Sequence, residues 1–182
     1  MRDQFDFLSV WFTSIELTDI RLLVEESRHI GDERRSPIRK RQRAILSAAV
    51  VLMVARTEAF IEEAARWSIW EMKHKPSITT IEDPPAITNF HNPTSIKIET
   101  LFRSIGIPDI WTPRPKRPRR SDDPLAEFDR LVNLRHDIAD GKVSDGNVAF
   151  AATLKDVLGF ISLLEWFSVA VAEILRKKLQ MA

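Results

Sequence analysis

The apolar positions of this chain recur at three- and four-residue steps over long stretches, broken by polar segments that carry proline. Over residues 3–30, Phe5, Leu8, Trp11, Phe12, Ile15, Ile20, Leu22 and Leu23 alternate with acids, which predicts an amphipathic helix. Ser36 and Pro37 supply a cap and a first-turn residue for a second helix that runs to about Lys73. Its centre, 44–65, is almost unbroken apolar residue and alanine, so this helix belongs in the middle of a bundle. Residues 75–93 hold four prolines and no helical period, and read as a long connection. Asn92, Pro93 and Thr94 open a third helix, which carries Ile96, Ile98, Leu101, Phe102 and Ile105 and stops at Gly106. A second irregular segment, 106–122, is rich in proline and arginine. Asp123 and Pro124 start a fourth helix with Phe128, Leu131, Leu134 and Ile138 on one face and Gly141 as its stop. The last helix is expected from about Val148 to Leu179, with Leu154, Val157, Leu158, Ile161, Leu164, Phe167, Val171 and Leu175 buried. Arg176, Lys177 and Lys178 oppose the negative end of its dipole.

The pattern contains no internal repeat and no strand alternation longer than a few residues. The expected fold is all-α: one domain over 1–182, an up-and-down helical bundle with two proline-rich excursions at about 75–93 and 106–122. Composition agrees, because only 5 glycines and no tyrosine suit helices better than a turn-rich sheet protein. The absence of cysteine excludes disulfides, thiolate chemistry and cysteine-based zinc sites. MRDQFDF mixes charges of both signs and does not read as a leader, and the apolar run 44–55 is too short to span a bilayer. A cytoplasmic chain with no membrane association is expected.

The residues with chemical potential gather in LRHDIADGK, 134–142. Arg135 carries a permanent charge and a planar fork suited to a phosphate. His136 can move a proton near neutral pH. If the helix persists, His136 and Asp140 share a face at i,i+4, and the carboxylate could orient the imidazole. Lys142 adds positive charge past the helix end. A solvated helix terminus before a capping glycine accounts for the same residues. His136, Asp137 and Asp140 do not match a metal-ligand spacing, so no metal and no cofactor are expected.

This stretch resembles the signature of the HEPN superfamily: an arginine, four to six residues, then a histidine. Arg135, Ile138, Ala139 and Gly141 fall in register with a common form of it. ARTEAFIEEAA (55–65) and FHNPTSIKIETLFRSIGIPDIW (90–111) resemble the RiboL-PSP-HEPN-like branch, so the likeness extends over most of 40–175. The resemblance implies a HEPN-like bundle that dimerises with itself and brings two motifs together. It also implies metal-independent endoribonuclease chemistry, in which a 2′-hydroxyl attacks the adjacent phosphorus and leaves a 2′,3′-cyclic phosphate. Arg135 would hold the phosphoryl oxygens, and Glu58 would support Arg135. A toxin–antitoxin or defence role, with an antitoxin or other protein as partner, follows from the same likeness.

The sequence departs from that pattern at one position. Asp140 stands where the family has histidine, and an aspartate is a poor proton donor at neutral pH and a negative neighbour for a phosphate. His136 lies four residues earlier, about 6 Å along a helix, against the roughly 3 Å reach of proton transfer. The expectation is an endoribonuclease by descent with weakened or lost activity. Its rival is a non-catalytic RNA-binding or adaptor module.

Charge distribution bears on the same choice. The net charge is only +1, but PRPKRPRR (113–120) packs five cations into eight residues, and RRSPIRKRQR (34–43) is similarly dense. Arg114, Lys116, Arg117, Arg119 and Arg120 lie just before the motif helix and are the expected RNA-binding arm, gaining affinity by counterion release. A solvated loop is the plain alternative. Of the tryptophans, Trp111 in the proline-rich segment is the one expected at the surface; His29, His74 and His91 are expected in surface or loop roles.

Overall fold

A computed structural model describes residues 17–30, 36–73, 87, 90–112, 123–142 and 152–181. These form five helices: α1 (Thr18–His29), α2 (Ser36–Lys73), α3 (Ser95–Ser104), α4 (Pro124–Ala139) and α5 (Leu154–Met181). Among the described residues there is no strand, and the molecule is an all-α helical bundle. The part of the first predicted helix before residue 17 lies outside the described residues.

The near-continuous apolar run of α2 leads to its position. A 38-residue helix is about 57 Å long, and α2 packs against each of the other four. Its buried residues, among them Val50, Met53, Phe60, Ile61 and Ile69, join one core with Phe102, Phe128, Phe160 and Phe167. Arg41 pairs with Glu26, and the Gln42 amide donates to the Ser27 carbonyl, tying α1 to α2. Arg39–Met72 and Leu154–Leu179 are long and apolar enough to cross a membrane by length and composition, although the run 44–55 alone is not. Of these apolar windows, 44% and 56% respectively are buried within the protein. The two helices cover much of each other and their neighbours.

Helix ends follow local chemistry. Thr94 caps α3, its hydroxyl accepting from the Lys97 amide. Asp123 caps α4 with Pro124 in the first turn, as expected. Gly106 and Gly141 adopt φ of 87° and 68° and close α3 and α4 in the same way. The Ile107 amide donates to the Phe102 carbonyl and the Gly106 amide to Arg103; Lys142 donates to Asp137 and Gly141 to Ile138.

Three expectations need correction. The last helix begins at Leu154 and not at 148, because Thr153 and Asp156 cap each other's amides there. Trp111 is not a surface residue: it is 9% exposed, donates its indole N–H to the Ser95 carbonyl at 2.9 Å and packs against Phe167. Leu22 and Ile96, counted on apolar faces, are exposed.

Candidate functional site

The C-terminal turn of α4 carries the motif. Arg135, His136 and Asp137 are half-buried, whereas Asp140, Gly141 and Lys142 are exposed. The backbone keeps His136 and Asp140 at the i,i+4 relation, the Asp140 amide donating to the His136 carbonyl at 2.8 Å. Asp140 is the C-cap, with φ −78° and ψ 0°. Its carboxylate binds Lys142 Nζ at 2.9 Å, and the same ammonium lies 3.5 Å from Asp137. The hydrogen bond and the charge of Lys142 hold the Asp140 carboxyl below its ordinary value, with smaller help from His136 and Arg135. Asp140 in turn raises Lys142. Asp140 is therefore a charged acceptor at neutral pH, with no proton to give.

Arg135 has a different kind of partner. Its Nη1 donates to Asn92 Oδ1 at 3.2 Å, linking the end of α4 to the turn before α3. Six other arginines meet carboxylates: Arg21 with Glu165, Arg41 with Glu26, Arg56 with Asp19, Arg66 with Glu62, Arg103 with Glu99 and Arg130 with Asp156. Arg135 binds a neutral amide, so among the described residues its charge is not cancelled by an ion pair.

The turn that presents Asn92 is held on several sides. Asn92 has φ 58°, a left-handed conformation that asparagine tolerates better than most side chains. The Thr94 amide donates back to the Asn92 carbonyl at 2.8 Å across Pro93. Asp129 of α4 accepts from the Ser95 amide at 2.7 Å and from the Ser95 hydroxyl at 2.6 Å. Thus α4 fixes the turn with Asp129 and uses it with Arg135.

Glu58 enters one residue away. Its half-buried carboxylate on α2 accepts from His91 Nδ1 at 3.0 Å, and Lys97 Nζ donates to the His91 carbonyl at 2.9 Å. Glu58 therefore reaches Arg135 through His91 and Asn92, not by direct contact. Sequence reasoning singled out Arg135 and Glu58 but missed Asn92, which joins them, and placed His91 only as a surface or loop residue, which it is. The available signal was His-Asn-Pro just before a helix cap, a sequence that fixes a turn.

Lys116 and Arg114, Arg117, Arg119 and Arg120 lie outside the described residues. Ser95, Ile96, Glu99, Trp111, Asp123, Leu125, Ala126 and Asp129 line an open groove of about 400 Å³. Its carboxylates suit a phosphate poorly. Among the described residues no group of three histidine or carboxylate side chains is arranged to hold a metal ion. Comparison with protein-family models, curated proteins and solved structures gives no match to the chain.

Proposed function

We propose that this chain is an RNA-directed protein of the HEPN type, cytoplasmic and homodimeric, with a toxin or defence role. In it, Arg135 holds a phosphodiester at the end of α4. The observation that carries the reading is the guanidinium of Arg135, half-buried and bound to the neutral Asn92 amide. A positive group fixed in place without a carboxylate is suited to an anionic ligand, and its fork matches two phosphoryl oxygens. The likeness of 55–65, 90–111 and 134–142 to one HEPN branch supplies the choice of RNA among anions.

Position 140 supplies no proton-transfer group in this reading. The Asp140–Lys142 pair keeps the carboxylate ionised, which favours a module that binds RNA firmly and cleaves it slowly, or not at all, through the motif itself. The test uses a labelled RNA oligonucleotide in EDTA. Wild-type protein is expected to bind it, and Arg135→Ala to weaken binding by roughly tenfold or more, the scale of a lost charge-assisted contact. Asp140→His is expected to raise cleavage. Binding by folded Arg135→Ala equal to wild type overturns the proposal.

A further inference from the structure

We propose that His91, oriented by Glu58, is the proton-accepting catalytic residue of the Arg135 site. The inference rests on the RNA-directed reading above and adds to it a group outside the 134–142 motif. A carboxylate oxygen accepts, so the hydrogen of the Glu58–His91 contact sits on His91 Nδ1. In the neutral ring this leaves Nε2 with a lone pair. The ring is 72% exposed while Glu58 is 21% exposed, so a fixed carboxylate from α2 holds an imidazole whose far side is open to a ligand. A carboxylate behind an imidazole fixes its tautomer and stabilises the imidazolium that forms when it takes a proton.

Location makes the pair relevant. His91 adjoins Asn92, and Asn92 holds Arg135. The groups facing His91 come from three elements: Glu58 from α2, Lys97 from α3 through the His91 carbonyl, and Arg135 from α4 through Asn92. The turn that binds Arg135 thus also carries a proton acceptor, which Asp140 with its Lys142 partner does not provide, and the proposal sets a phosphodiester gripped by Arg135 within its reach. In the reaction His91 Nε2 takes the proton of the 2′-hydroxyl. The 2′-oxygen bonds to phosphorus, the P–O5′ bond breaks, and the departing 5′-oxygen takes a proton from water. The products are a 2′,3′-cyclic phosphate and a 5′-hydroxyl; His91 returns its proton to solvent. Glu58 is a positioning residue.

The experiment follows cleavage of a labelled RNA in EDTA across pH, beside binding of a 2′-O-methyl RNA of the same sequence, which cannot react. The expected result is slow cleavage by wild type with a rate that falls on the acid side. His91→Gln is expected to lower that rate by roughly a hundredfold while keeping 2′-O-methyl RNA binding within about threefold, a perturbation far below a lost charged contact. Glu58→Gln is expected to lower kcat by roughly tenfold with KM near that of wild type, a split that a merely structural role would not give. Added imidazole is expected to restore part of the rate of His91→Ala. If wild type binds the RNA through Arg135 but does not cut it, or if His91→Gln cuts at the wild-type rate, the role of His91 is overturned while the RNA-directed reading stands. If wild type binds no RNA, both fall.

Discussion

The Asn92–Arg135 contact ties conformation to charge in a single side chain. Asn92 must tolerate φ 58° and must also offer an oxygen to the guanidinium. Two substitutions separate these demands. Asn92→Gly keeps the backbone and removes the acceptor; Asn92→Asp keeps an acceptor and adds a negative charge that cancels Arg135. Fluorescence anisotropy at fixed salt is expected to show Asn92→Asp weakening RNA binding by roughly tenfold, with Asn92→Gly closer to wild type. The reverse order would mean that position rather than charge matters at Arg135. Half of this arrangement was legible in the sequence. Arg135 stood out because its neighbours fit a known spacing, and Asp140 because it broke that spacing. Asn92 did not, because its partner lies 43 residues away and nothing local marks a contact between a turn and a distant helix end.

The helices show what local signals can and cannot fix. Both ends of α4 were readable, since Asp123 and Pro124 open it and Gly141 closes it. The start of α5 was misjudged because apolar residues from Val148 onward extend the hydrophobic pattern, whereas the boundary is set by a polar exchange. The Thr153 hydroxyl accepts from the Asp156 amide at 3.1 Å, and the Asp156 carboxylate accepts from the Thr153 amide at 3.1 Å. Arg130 of α4 reaches the same carboxylate at 2.7 Å and lies 5.3 Å from the Phe160 ring centre, so the cap also joins two helices. Burial works against the charge of Asp156, but the bonds from Thr153 and the nearby Arg130 outweigh it and leave the carboxyl below its ordinary value. A carboxyl lowered by folding stabilises the native state above the unfolded value, and that contribution disappears as pH falls through the folded value. Thr153→Ala is therefore expected to cost about 1 kcal/mol in urea unfolding at neutral pH. The stability gap between wild type and Asp156→Asn is expected to narrow on acidification below the ordinary carboxylate range. A gap that stays constant into acid would show that the charge contributes nothing.

At the scale of the whole molecule, α4 belongs to two structures at once. One side of it is core: Phe128 is fully buried and stacked on Phe167 of α5, with ring centres 4.5 Å apart and planes 8° from parallel. Another side is the site, where Asp129 fixes the Asn92 turn and Arg135 binds its side chain. The central helix α2 has the same double character, burying Phe60 and Ile61 while presenting Glu58 to His91. The bundle thus places the candidate groups by packing, and the groups themselves add little to the packing. This division predicts opposite behaviour for two substitutions. Phe128→Ala empties a space that rigid helices cannot fully close, and is expected to cost about 3–5 kcal/mol in chemical unfolding. At temperatures where it stays folded, its affinity for RNA should remain near that of wild type. Asn92→Asp should do the reverse, changing unfolding by less than about 1 kcal/mol because aspartate keeps the left-handed backbone and an acceptor for Arg135, while weakening RNA binding. Unfolding curves and binding isotherms on the same two proteins decide the matter. If Phe128→Ala loses RNA affinity in proportion to its stability, the core and the site are one cooperative unit, and Arg135 is held by the fold as a whole rather than by its turn.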